Sequence, residues 1–499
     1  MITPTIPTST LPWRLLPVRL AAIVVIGTLG TSGAQAQTTA TERAAASRVL
    51  QEIEALQNRL SPAEQAAEIV GTDDTRRNAL LEAAGTYWDS GMEQLSDWIA
   101  ANPEVAWEEH AAVDTLTKVL RAEGWTVEVG VVGLETAFVA SWDSPASEGG
   151  VTLGLIGEYD ALRDIDGPFH GDQHNAQSPI AFSAAFAMKD FMESEGVPGG
   201  IRIYGTPAEE VGPPAKTIMH EAGVFDEADF LIRSHSSTAT ARARAGFGVC
   251  CLNINEVKYT FLGQPSHQLT SWNGRNALEA AVMFYTAVDR LRSTFRPEAS
   301  IQGVIPEGGV APNVVPARAV VDYYIRYPDE VYLEHMNRMI DNAARGSAMA
   351  TGTRVEIDRY GEYRDGISLG TLEELYFAYA GALGAPEINP ERQRPAGYEE
   401  TGWVTRDIPG VGISVYSSRG SYHTKGMSED ADSEVGHAGF RMDAQIMTAV
   451  LYDFLTNEDF RRTVREEHEV LQGLLGEYHE RLREVYAPEI GPVSDGGAQ

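Results

Sequence analysis

Eleven histidines are spread over 499 residues, and several fall in short polar or glycine-rich loops beside carboxylates. A hydrolytic metal site needs imidazole nitrogens and carboxylate oxygens converging on an open position, where a bound water can lose a proton near neutral pH. Four segments offer such groups. Gly157-Glu-Tyr-Asp-Ala-Leu162 is followed by His170-Gly-Asp-Gln-His-Asn175, in which Asp172 and His174 can present an oxygen and a nitrogen from one turn. Asp160 could orient a ligand from behind, or simply cap a turn. Gly205-Thr-Pro-Ala-Glu-Glu-Val-Gly212 places adjacent carboxylates after an apolar run. A cation beside Glu210 would relieve their repulsion and leave Glu209 free as a general base, moving a proton from water to the leaving amine. His235 closes Asp229-Phe-Leu-Ile-Arg-Ser-His235, and His423 sits in Arg-Gly-Ser-Tyr-His-Thr-Lys-Gly after the run Val411–Tyr416. Each alone also reads as a hydrogen-bonded structural group. Together, in strand-terminal loops, they point toward a metal-dependent hydrolase.

The elements that must carry these loops follow from apolar periodicity. Val151–Gly157 and Gly200–Gly205 read as buried strands with a helix over Ser178–Glu193 between them, the order of an α/β domain with a largely parallel central sheet. Residues 38–70 and 75–123 read as helical. After about residue 253 the pattern becomes strand 257–262, helix 276–292, strands 301–305 and 317–325, helix 330–350 and strand 354–360. That βαββαβ order is a ferredoxin-like α+β unit, inserted into the larger domain, whose pattern resumes after about 365. The charged stretch 459–485 reads as a helix serving as a solvated packing element, followed by a loose tail. The expected organisation is a signal peptide at 1–36, a catalytic domain in two parts (37–253 and 363–460), an inserted domain at 254–362 and a C-terminal helix with tail at 461–499.

The first 36 residues combine Arg14 and Arg19, a short apolar core at 20–29 and Ala34-Gln35-Ala36, the pattern of a cleaved export signal. The expected location is periplasmic or secreted, with no membrane contact after cleavage. A formal net charge of −32 repels phosphate backbones, so nucleic acid is not an expected partner. Cys250 and Cys251 are adjacent in an apolar run and read as part of a buried strand, not as a disulfide.

From about residue 88 to 455 the chain resembles the M20 metallopeptidases, within them the branch of aminobenzoyl-glutamate hydrolase subunits and N-acyl-amino-acid hydrolases. The resemblance rests on Asn102-Pro-Glu-Val-Ala-Trp-Glu-Glu109, Gly157-Glu-Tyr-Asp-Ala-Leu162, Pro207-Ala-Glu-Glu210, Gly263-Gln-Pro-Ser-His267, Gly274-Arg-Asn-Ala-Leu278 and Gly308-Gly-Val-Ala-Pro-Asn-Val-Val-Pro316, in that order. It implies a zinc-peptidase-like catalytic domain with an inserted lid and dimerisation domain, and a homodimer formed through that lid. It implies two divalent ions, zinc or manganese with cobalt a further candidate, held by Asp172, His174, Glu210, His235 and His423, with Glu209 as base. His267 matches a histidine that reaches across the dimer toward the developing oxyanion. Asn313 and Arg326 match positions near the polar or carboxylate end of the substrate. The family loop normally reads Gly-Cys-Gly-His-Asn; here Asp172 replaces the cysteine and Gln173 the second glycine, which favours oxygen-preferring metals. The expected activity is hydrolysis of amide bonds in N-acyl or aryl amino acids or small peptides. A dipeptidase or carboxypeptidase of the same fold, or a metal-free periplasmic binding protein, are the alternatives.

Overall fold

The computed structural model describes residues 40–146, 149–241, 249–250, 252–390 and 401–486. The expected signal segment, Cys251 and most of the loop 395–403 lie outside these residues, and of Cys250 only the backbone is described, in a two-residue strand.

Strands rich in aliphatic residues form a six-stranded mixed sheet. Its order is Thr126–Val129, Phe138–Asp143, Gly199–Gly205, Val151–Gly157, Phe230–Ser234, Gly410–Ile413. The last four run parallel, and the first two are antiparallel additions at one edge. The parallel strands are buried on both faces, which is why they read as continuous apolar runs and not as alternation. Helices Gln177–Glu195 and Glu434–Thr456 cover the sheet through Ile180, Phe182, Met447 and Leu451. At the end of the Val151–Gly157 strand, a Cβ on Gly157 would collide with Ser178. Glycine there lets the helix entrance approach the strand end.

The inserted unit forms a second sheet, ordered Arg354–Tyr363, Asn253–Leu262, Arg318–Tyr327, Ser300–Glu307, antiparallel throughout. Two helices, Ala277–Leu291 and Glu330–Thr351, pack on one face with a core of their own around Tyr259, Phe284, Tyr323 and Met336. The sheet order and the two helices on one side are those of the ferredoxin-like unit. Its edge strand leaves Val304 62% and the neighbouring helix leaves Met283 48% exposed, an apolar surface of the kind that protein partners cover.

Two helical expectations change. The stretch 75–123 breaks at Asn102–Glu109, where Pro103 cannot continue the helix. Glu104 then accepts from the amides of Ala111 and Ala112 (3.0 and 2.8 Å), capping the next helix, His110–Ala122. The C-terminal helix Glu458–Tyr486 is not simply solvated, because Phe460, Val464, Leu471, Leu475, Tyr478 and Leu482 bury one face at helical spacing. No helix among the described residues is long and apolar enough to cross a membrane.

Glu330, at the start of an inserted-unit helix, meets Arg406 at 2.8 Å, His479 at 3.1 Å and Arg483 at 3.5 Å. Burial would raise its carboxyl, but the His479 hydrogen bond and the Arg406 charge outweigh this and hold it well below the usual range. A depressed folded pKa contributes stability above the unfolded value of about 4.3, and that stability is lost as pH falls below it. Glu330→Gln should therefore cost about 3 kcal/mol at pH 7 and progressively less toward pH 3. Urea melts across that range check the prediction, and a cost independent of pH would contradict it.

Candidate metal centre

All the loops in question leave the carboxyl ends of the parallel strands, the edge at which open α/β sheets bind ligands. Glu158 and Asp160 follow Gly157, Glu209 and Glu210 lie just beyond Gly205, His235 follows Ser234, and His423 lies in the loop beyond Ile413. Asp172 and His174 come from the turn before Gln177–Glu195. Because these strands are neighbours in the sheet, their loops emerge side by side along one edge.

Asp172, His174 and Glu210 place ligand atoms within 4.8 Å of one another, and so do Glu158, His174 and His235. His423 Nε2 lies 2.9 Å from Asp172 and 3.7 Å from Glu210. The His235 and His174 rings meet edge to face with centroids 5.6 Å apart. All five expected ligands are therefore gathered. Asp160 stands behind two of them: its Oδ1 is 3.1 Å from His174 Nδ1, and its Oδ2 accepts from the Glu210 amide at 2.9 Å. With Nδ1 so engaged, His174 Nε2 is buried with no hydrogen-bond partner among the described residues, 3.4 Å from the Glu158 carboxylate. An orphaned imidazole nitrogen among carboxylates is what a cation site requires, so the donor set fits a divalent metal.

The electrostatics agree. Burial pushes the Glu210 carboxyl up, and Asp172 and Asp160 beside it push it further. Burial works against protonated His174, but the Asp160 hydrogen bond and the Glu158 charge overcome it and raise the imidazole. Burial and the Arg233 charge lower His235, leaving it neutral as a ligand must be. A divalent ion would relieve the carboxylate repulsion and replace the proton on His174.

Glu209 is half-buried in the same turn as Glu210. Ala208, immediately before it, has a left-handed backbone (φ 56°), and its amide donates to Glu109 at 2.9 Å. Glu109 thus fixes the turn that carries the expected base, a role sequence reasoning did not assign, although the residue lies in a family-like motif. Glu158 was also missed. Its fully buried carboxylate receives Lys216 and Gln177 and lies 3.5 Å from Arg233. Two internal cations hold it ionised despite burial, so its charge is already matched. Nothing local to the Glu-Tyr-Asp motif signals that, because Lys216 and Arg233 come from other elements.

The remaining expected residues lie in the inserted unit. His267 is exposed, and its Nδ1 accepts from the Leu269 amide of its own turn at 3.1 Å. Asn313 is exposed beside it, its carbonyl accepting from the Gln268 amide. The chain does not bring either to its own ligand cluster through any hydrogen bond among the described residues. Arg326 is half-buried on the sheet face away from the helices, near Glu256. Glu256 in turn abuts Gly212, where a Cβ would strike its carboxylate. That face therefore meets the turn carrying Glu209 and Glu210.

Residues 252–348 match a peptidase dimerisation domain of the M20 type. The chain is 30% identical over 387 residues to the Xaa-Arg dipeptidase of Mus musculus, covering 75% of this chain and 88% of that one. It is 32% identical over 314 residues to a p-aminobenzoyl-glutamate hydrolase component from Escherichia coli (strain K12), covering 60% and 63%. Among solved structures, an aminobenzoyl-glutamate utilization protein from Klebsiella pneumoniae aligns with TM-score 0.57 at 18% identity over 76% of this chain and 99% of that one. A dinuclear metal-binding M20 peptidase from Bacillus subtilis aligns with TM-score 0.54 at 16% identity over 75% and 99%. The fold and the gathered ligands define a metal-dependent hydrolase of amide bonds. The chain belongs to the M20 peptidase family.

Proposed function

We propose that this protein is an exported, homodimeric hydrolase that cleaves the amide bond of N-acyl or aryl amino acids or of small peptides, using two divalent ions, zinc or manganese. The convergence of Asp172, His174 and Glu210 carries the reading, with His235 and His423 completing the ligand set. When bound, the metals would polarise the scissile carbonyl and acidify water. Glu209, adjacent to Glu210 on a turn fixed by Glu109, takes the proton from the attacking water and delivers it to the departing amine. Asp160 keeps His174 and the Glu210 backbone in place during this transfer. Asn313 and Arg326 hold the substrate's polar or carboxylate end. The substrates named by the mouse and E. coli relatives share an amide joined to an amino acid, which supports that substrate class. A dipeptidase or carboxypeptidase is the neighbouring reading, favoured by the mouse relative's name.

The deciding experiment measures metal in the purified mature protein by plasma mass spectrometry, beside Asp172→Ala. About two ions per chain, falling in the variant, is the expected result. Dipeptides ending in arginine, p-aminobenzoyl-glutamate and N-acyl amino acids then separate the substrate readings by kcat/KM. No bound ion after reconstitution with zinc, manganese or cobalt would overturn the proposal. An intact mass beginning at Met1 in the native host would remove export alone.

A further inference from the structure

The turn between Gly171 and Asn175 contains a residue whose conformation and contacts both need explaining. Gln173 has φ 54°, the left-handed region that a side chain normally avoids. The M20 pattern noted above has glycine there. A glutamine in this conformation persists only where its surroundings over-determine it. Its side chain is 1% exposed, and the amide is fully used. Nε2 donates to the carbonyls of Ser417 and Met427, each at 3.2 Å, and Oε1 accepts from the Ser417 hydroxyl at 2.9 Å. Ser417 is itself tied to a third loop: its amide donates to the Ser237 carbonyl at 2.9 Å, and its hydroxyl accepts from the Ser237 amide at 3.1 Å.

The three loops joined by this contact bear four of the five expected ligands, Glu210 lying on a fourth. Asp172 and His174 flank Gln173, His235 lies two residues before Ser237, and His423 lies between Ser417 and Met427. The His423 amide also donates to the Gly171 carbonyl at 3.0 Å. We infer that Gln173 is a positioning residue, whose buried amide locks three of the four ligand-bearing loops together and so sets the spacing of Asp172, His174, His235 and His423 before metal arrives. Preorganisation of this kind raises metal affinity without adding a ligand, since the protein no longer spends binding free energy on ordering its loops. The inference rests on the metal-centre reading but not on any substrate.

The test is competitive titration of the metal-free full-length protein with Zn²⁺ and with Mn²⁺, for the wild type, Gln173→Gly, Ser417→Ala and the double variant. Gln173→Gly relieves the left-handed backbone while removing the amide. Its metal-free form should melt no lower than would follow from losing the buried contacts, yet bind both ions roughly 10- to 100-fold more weakly. Ser417→Ala should weaken binding by less, and the double variant should weaken it by less than the two changes added together, because the Gln173–Ser417 contact is lost in both. Wild-type affinity in Gln173→Gly, or full additivity of the two changes, would overturn the inference. If Gln173→Gly does not fold, Ser417→Ala alone decides, and unchanged affinity there has the same meaning. A wild type that binds neither ion would instead remove the metal-centre reading itself, so the two failures are distinguishable.

Discussion

Glu209→Gln is expected to lower kcat/KM by about 10³-fold while leaving metal content at the wild-type value. The substitution keeps the shape of the side chain and removes only its capacity to take a proton. Glu209 shares its turn with Glu210, yet only Glu210 enters the cluster with Asp172 and His174, so the ligand set survives the change. The Glu109 bond to the Ala208 amide is also untouched, and the turn keeps its left-handed bend. The measurement is steady-state kinetics beside metal analysis on one preparation. Activity above a tenth of wild type would assign the base elsewhere. Loss of metal together with activity would make Glu209 a ligand.

The second large effect tests whether the active site is completed by a second chain. His267 stands on an exposed turn next to Leu269 and Trp272, which are 71% and 74% exposed, and its hydrogen bond serves only its own turn. His267→Ala should cost about 3 kcal/mol of transition-state stabilisation, or roughly 10²-fold in kcat, with little change in melting temperature. The stronger test mixes Glu209→Gln with His267→Ala chains and allows them to exchange. If His267 acts across the dimer, each mixed dimer contains one site with both wild-type residues, and activity recovers to about a quarter of wild type. If it acts within its own chain, every site in the mixture lacks one group and no recovery occurs. No recovery despite demonstrated exchange would therefore place His267 with its own chain.

The sequence by itself determined where chemistry could occur. Runs such as Val151–Gly157 and Phe230–Ser234 are too short for helices and too apolar for a sheet face exposed to water, so they are interior strands. The polar residues that follow them must then emerge at one edge of the sheet. That local logic placed Asp160, Glu209, Glu210, His235 and His423 on neighbouring loops, and it likewise distinguished the inserted unit by its change of pattern after residue 253. The apolar spacing within Glu458–Tyr486 was equally visible, but the surface it covers was not, because that surface comes from the other end of the chain.

Only the tertiary structure decided how groups of the same type divide their roles. Glu158 and Asp160 sit two residues apart in one motif, yet Lys216 and Arg233 neutralise the first while the second orients His174. Pro103 announces a helix break, but the capping by Glu104 depends on how the chain returns. Gln173 looks like a misplaced residue in a glycine position until Ser417 and Met427, far along the chain, supply its partners. The physical reason is common to all three. Strand and helix periodicity is set by neighbours within a few residues, whereas the charge state and orientation of a buried polar group are set by whichever distant atoms share its low-dielectric surroundings.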